Sequence, residues 1–167
     1  MKNEQGFTLI ELLLVMILIG TIISISFTVY TFGNKAFRVS KQRSILQTQV
    51  TNVARFITNE LRNASENGLD ILESPLLELE DDFQYIFLKD NIIYHHNEKT
   101  RAVTSRVIEN IFFKVVEHDK VFILAFEIDG FDGKNSFTIQ SQVLLNNVSK
   151  FNLTEGKTGI KYQKVHW

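Results

Sequence analysis

Glu11 is the residue of this 167-residue chain with the strongest claim to chemistry. It lies inside an apolar block, with Phe7, Leu9 and Ile10 before it and Leu12 to Leu14 after it. An ionised acid at the centre of a membrane helix costs roughly 2.5–3.5 kcal/mol on insertion scales, and less near an end. Acids so placed tend to have a partner. That partner must be a cation at similar depth, yet no Lys, Arg or His lies between Lys2 and Lys35. One account of Glu11 is that the first turns of a helix favour an anion through the macrodipole, or that the side chain snorkels to the interface. Another is an α-amino group. Cutting the chain after Gly6 creates one at Phe7, one helical turn from Glu11.

The other residues capable of chemistry form no working constellation. Without cysteine there is no disulfide, thiolate metal site or sulfur nucleophile. Glu155-Gly156-Lys157-Thr158 contains the Gly-Lys-Thr of a P-loop, but the required glycine five residues earlier is replaced by Phe151. It reads as a turn. His95 and His96 point to opposite faces of a strand, which opposes joint metal binding, and His118 and His166 have no readable companions. The loop Asp129-Gly130-Phe131-Asp132-Gly133-Lys134-Asn135 offers oxygen ligands of the kind calcium favours, without the EF-hand spacing. Glu78, Glu80, Asp81 and Asp82 form an acidic cluster, read as solvated or as a docking surface. The expectation is no cofactor, no metal and no catalytic residue.

The elements that position Glu11 follow from composition. From Leu12 to Asn34 there are 23 residues without a charged side chain or histidine. As a helix they extend about 34 Å, enough to cross a hydrocarbon core of about 30 Å with some tilt. Gly20, Thr21, Ser24, Ser26 and Thr28 interrupt the run mildly, and hydroxyls bond back to the helix. A secretory signal peptide usually has a shorter apolar core and a basic leader. Here the leader has only Lys2, opposed by Glu4, although Ser24-Ile25-Ser26 is a small-x-small pattern.

Gly6-Phe7-Thr8-Leu9-Ile10-Glu11, followed by a long apolar helix, resembles the prepilin signature of type IV pilins and type II secretion pseudopilins. The resemblance implies cleavage between Gly6 and Phe7 by a membrane prepilin peptidase, and N-methylation of Phe7 by the same enzyme. Gly6 suits a cleavage site because a residue without Cβ permits close approach to the backbone. The resemblance also implies that Glu11 pairs with the terminal amine of a neighbouring subunit during filament assembly. Two positions depart from the pattern. Gln5 stands where Lys or Arg is usual, and Thr28 stands near where many pilins have a proline. Lys35, Arg38, Lys41 and Arg43 follow the span, and the positive-inside rule alone places them in the cytoplasm. The cleavage motif requires the opposite orientation, with a cytoplasmic N-terminus and an extracytoplasmic head.

Residues 1–65 carry seven Lys/Arg against three acids, and residues 66–167 carry eleven against sixteen. The chain thus divides into a leader (1–6), an anchor helix (7–34), a basic stem (35–65) and an acidic head (66–167). In the stem, Val39, Leu46, Val50, Val53, Ile57, Leu61 and Ala64 form one amphipathic stripe. Gly68 lies where a helix stop would. The stem's cations could meet DNA phosphates, but no aromatic residues interleave them, and a solvated face or the acidic heads of neighbours are the alternatives.

The head changes to period two. Phe137, Ile139, Ser141, Val143 and Leu145 alternate with polar residues except near Leu144. Asn110–His118 and Val121–Asp129 flank Asp119-Lys120 as a hairpin, and Gln84–Leu88 and Ile92–His96 flank Lys89-Asp90-Asn91. Gly130–Asn135 reads as a loop, and Phe151–Leu153 with Ile160–Val165 flank a Glu155–Gly159 turn. The predicted fold is α+β, a long N-terminal helix packed on a C-terminal antiparallel sheet, which is the pilin architecture. The stretch Val53-x-x-Phe56-Ile57-x-x-Glu60-Leu61-Arg62-Asn63-Ala64 and the Asn110–Asp129 hairpin look most like J-type or PilW-like minor pseudopilins.

These readings converge on a single-pass protein of the plasma (inner) membrane that is not an enzyme. Its expected partners are the prepilin peptidase, other pilin or pseudopilin subunits and a membrane assembly platform. The rivals are a competence pseudopilin contacting DNA and an exported protein released by an ordinary cut after Ser26.

Overall fold

The computed structural model describes residues 8–62, 64–72, 79–80, 82–118, 121–145, 148, 155–156 and 159–164. Among these residues one helix, α1 (Leu9–Leu61), is followed by nine strands: β1 (Ala64–Leu72), β2 (Gln84–Lys89), β3 (Ile92–Asn97), β4 (Lys99–Ala102), β5 (Ile108–His118), β6 (Val121–Phe131), β7 (Ser136–Leu145), β8 (Glu155–Gly156) and β9 (Gly159–Lys164). The chain forms two compact units, residues 1–42 and 43–167.

In the first unit α1 is long and apolar enough to cross a membrane. Three of the four hydroxyl residues named from the sequence bond back to the helix, as anticipated. Thr21 Oγ1 donates to the Leu18 carbonyl at 2.8 Å, Ser26 Oγ to Ile22 at 2.8 Å and Thr28 Oγ1 to Ser24 at 2.9 Å. These three hydroxyls are thereby satisfied within the helix, which is what hydrocarbon surroundings demand.

In the second unit the rest of α1 turns Leu46, Val50, Val53, Ala54, Ile57 and Leu61 into the core. Fully burying a side chain of this size is worth about 1.5–3 kcal/mol, so this stripe fixes the segment's rotation. Two details of the predicted stripe change. Val39 is 39% exposed and outside the core. Ala54 joins it, buried with its neighbours on the stripe. Ala64 is buried as predicted, but in β1 rather than at the end of the helix.

Among its described residues the head holds two antiparallel sheets rather than one. The first has strand order β1-β9-β2-β3-β4, and the second β7-β6-β5-β8. Strand β9 inserts between β1 and β2, so the last described strand closes the first sheet. Apolar side chains of both sheets and of α1 share one core cluster. In β6, Leu124, Phe126, Ile128 and Gly130 are buried at alternate positions and turn toward the core. A Cβ built on Gly130 would collide with Val50 Cγ2 and come within 3.1 Å of Leu46 Cδ1. The missing side chain therefore lets α1 lie close on the second sheet.

Both predicted hairpins form. The β5–β6 pair runs from Ile108 opposite Gly130 to His118 opposite Val121. The β2–β3 turn is Asp90-Asn91 alone, with φ of 51° and 64°, so Lys89 belongs to β2 rather than to the turn. Two successive left-handed residues are the type I′ arrangement that matches strand twist. Strand β6 continues to Phe131, which shortens the predicted 130–135 loop to Asp132–Asn135.

Two expectations are overturned. Gly68 does not stop the helix. The helix ends at Leu61, and Gly68 lies within β1, in the interval where the β1–β9 register shifts between Ala64 and Leu69. Glycine inside a strand commonly marks such a bulge. Glu155 and Gly156 are not in a turn but form β8, pairing with Lys114 and Phe113 of β5. A Cβ on Gly156 would lie 2.5 Å from Ile71 Cγ2 and 3.1 Å from the Leu72 carbonyl oxygen, so only glycine lets β8 approach β1. The predicted Phe151–Leu153 segment and Val165 lie outside the described residues.

Candidate functional site

Gly6 and Phe7, the predicted cleavage pair, lie outside the described residues. The described part of the site begins at Thr8. The Thr8 backbone N–H donates to Glu11 Oε2 at 2.9 Å, and the Thr8 hydroxyl donates to the same oxygen at 2.9 Å. In return the Glu11 backbone N–H points at Thr8 Oγ1 at 3.4 Å. This reciprocal arrangement is a capping box, for which Thr-x-x-Glu is the sequence signature. Helical bonding begins at once, with Leu12 N–H donating to the Thr8 carbonyl at 3.3 Å.

The box defines what Glu11 can do. Its carboxylate occupies the first turn, where the free N–H groups and the helix dipole favour an anion. Both bonds from Thr8, one from its backbone N–H and one from its hydroxyl, end on Oε2. Among the described residues no bond is recorded to Oε1, so that oxygen can receive a further donor while the box stays closed. Thr8 was not singled out from the sequence, although Thr8-Leu9-Ile10-Glu11 carries the signature in full.

The remaining sequence candidates are dispersed. His95 and His96 do take different partners: His95 Nε2 lies 2.9 Å from Tyr162 Oη, and His96 Nδ1 lies 2.8 Å from Thr100 Oγ1. Asp129 Oδ1 accepts from Thr138 Oγ1 at 2.6 Å. Asp132 Oδ1 accepts the backbone N–H groups of Asn135 at 2.8 Å and Lys134 at 3.0 Å, which ties the loop on itself. The Asn135 N–H, then its side-chain amide, then the Lys134 N–H hold the Asp132 carboxyl below the ordinary aspartate value. Of the acidic cluster, Glu78 and Asp81 lie outside the described residues. Glu80 pairs with Lys161 at 2.7 Å, whose ammonium also stands 3.8 Å from the Phe83 ring centroid. Lys157, Thr158 and His166 lie outside the described residues.

One polar cluster in the head was missed. Tyr162 Oη donates to Glu60 Oε2 at 2.9 Å, which spends the phenol's single proton. His95 Nε2, 2.9 Å from the same phenol oxygen, must then be the donor to it. Phe56 presents an edge to the His95 ring, with centroids 5.1 Å apart. Burial first, and the Glu60 charge second, push the Tyr162 phenol far above its usual range, so it stays neutral. Phe56 and Glu60 both come from the stretch on which the pseudopilin likeness was drawn. Its Val53, Ile57, Leu61 and Ala64 are buried, so the stretch is the seam between α1 and the first sheet. The stem cation Arg43 also contacts the head, with Nε donating to Asn135 Oδ1 at 3.1 Å.

Comparison with known proteins gives two findings. Residues 1–27 match the family model for the prokaryotic N-terminal methylation motif. Among solved structures, a point mutant of the PilB minor pilin from Streptococcus sanguinis is similar, with a TM-score of 0.56 and 14% identity. The match covers 75% of this chain and 35% of that one, so the chain spans about a third of that protein. No curated protein matches the sequence. The motif is thus of the prepilin type and the fold is pilin-like.

Proposed function

We propose that this chain, a prepilin-type methylation motif joined to a pilin-like fold, is a minor pilin or pseudopilin. It serves as a structural subunit of a type IV pilus-like or type II secretion-like filament. A prepilin peptidase cuts after Gly6 and methylates the new amine of Phe7. The apolar segment of α1 then holds the subunit in the plasma (inner) membrane, with the head outside the cytoplasm, until a membrane platform passes it into the filament. The role is structural rather than enzymatic.

The observation that carries the reading is the placement of Glu11. The carboxylate stands in the first turn of an apolar helix, four residues after the predicted new amine, with Oε1 free of any bond from the described residues beside a closed capping box. An ammonium from a neighbouring subunit can bind Oε1 without dismantling the box. In the dry interior of a helix bundle such a pair is far stronger than in water. Docking in the wrong register leaves the acid unpaired among apolar side chains, at a cost of several kcal/mol.

The test is the Glu11→Ala variant, produced alongside the peptidase and the other subunits of the machine. Membrane insertion and cleavage should persist, while recovery in the sheared filament fraction should fall at least tenfold, on the scale of about 1.4 kcal/mol per decade. Normal recovery of Glu11→Ala in filaments would remove the charge pair from the mechanism.

A further inference from the structure

Sheet edges present unpaired N–H and C=O groups, and natural proteins guard them with short strands, charges, prolines or bulges. Three of the four sheet edges among the described residues are guarded. β4 is four residues long and carries Lys99 and Arg101. β1 has a register shift and carries Asp70. β8 is two residues long, and the β5 strand it partly covers carries Glu109, Lys114 and Glu117. The fourth edge, β7, is different. It has ten residues, Ser136–Leu145, with no charge, proline or glycine. All ten pair with β6 in unbroken register. Among the described residues nothing pairs with its other side.

The β7 sequence is also close to a palindrome of polarity centred on Ser141. Thr138, Gln140, Gln142 and Leu144 are exposed on the outer face, whereas Phe137, Ile139 and Ser141 are half-buried and Val143 and Leu145 buried on the inner face. Two copies laid antiparallel about Ser141 set Ile139 against Val143 and Phe137 against Leu145 on the inner face. On the outer face they set Gln140 against Gln142. Centring on Gln140 instead sets Ile139 against Ser141, which loses the match. No like charges meet, because the strand has none.

We propose that the outer edge of β7 is a pairing edge for a second copy of this chain, joined antiparallel about Ser141 into one continuous sheet. The inference goes beyond the filament reading and does not depend on it. The two-fold axis stands normal to the sheet, so the 43–61 segments of the two copies run in opposite senses. The contact therefore joins copies of opposite orientation and is not the one that orders neighbours along one filament.

The chain has no cysteine, so single cysteines report cleanly. The experiment uses the full chain in detergent. Ser141→Cys places two thiols directly opposite each other across the two-fold, within disulfide reach. Thr138→Cys places them six residues out of register, on the order of 20 Å apart. Ser141→Cys should form a disulfide dimer on the order of tenfold faster than Thr138→Cys, since only the former meets the geometric limit. The Gln140→Lys/Gln142→Lys double variant sets lysines opposite each other on exposed positions and should convert a sedimenting dimer to monomer, with the circular dichroism unchanged. Equal cross-linking of the two cysteine variants, a wild-type monomer, or a dimer that survives the double lysine change would overturn the proposal.

Discussion

The phenol of Tyr162 and the carboxylate of Glu60, 102 positions apart, meet at 2.9 Å and tie the last described strand to the helix. The bond is charge-assisted, and the phenol is completely buried. Tyr162→Phe keeps the ring and its packing but takes the hydrogen-bonding oxygen from Glu60 and His95. It should lower the stability of the head by about 1–3 kcal/mol. Thermal unfolding followed by circular dichroism measures this, and an unchanged midpoint would show that the cluster contributes nothing.

Gly130→Ala tests the close approach of α1 to the second sheet. The added methyl collides with Val50 and crowds Leu46, and overpacking of this kind costs about 1–3 kcal/mol. The paired change Gly130→Ala/Val50→Ala makes room for the methyl. It should show a smaller loss than the sum of the two single changes, which a double-mutant cycle in urea reads directly.

The capping box predicts a difference between two conservative changes. Thr8→Ser retains the hydroxyl and should leave the helix start intact. Thr8→Ala removes it and should cost about 0.5–2 kcal/mol of local helix stability. Amide exchange at Leu9 to Leu12, measured in micelles, should accelerate in Thr8→Ala alone.

Asp132 carries a pH signature. Its carboxyl is held below the ordinary value by the Asn135 and Lys134 donors. The folded state therefore releases this proton more readily than the unfolded chain. The resulting stabilisation is present above the unfolded value of about 3.9 and is lost as pH falls through the lower folded value. In Asp132→Asn the amide oxygen can still accept the loop N–H groups, but this titration is absent. The gap in urea midpoint between wild type and Asp132→Asn should narrow as pH falls from 5 through 4 and below, by analogy with the linkage of any depressed carboxyl. A constant gap would contradict the assignment.

Legibility in the sequence followed locality. The β5–β6 and β2–β3 hairpins join neighbouring runs through short turns, and alternation reveals both. The helix was legible from Leu46 to Leu61 because its spacing is periodic, whereas Val39 fits the period but belongs to a segment outside the core. The insertion of β9 between β1 and β2 was not legible, since nothing nearby in sequence marks a pairing between Leu72 and Gly159. Glu60 and Tyr162 meet for the same long-range reason. The capping box at Thr8 and Glu11 is legible in the Thr-x-x-Glu spacing, since the hydroxyl lies one turn from the acid.

The most direct test of the central claim is the mass and sequence of the N-terminal peptide of the protein isolated from its native envelope. Maturation between Gly6 and Phe7 predicts a chain that begins at Phe7 and is one methyl group heavier than the unmodified peptide. An intact Met1, or a chain beginning at Phe27, would contradict it by leaving Glu11 without the amine it is proposed to meet.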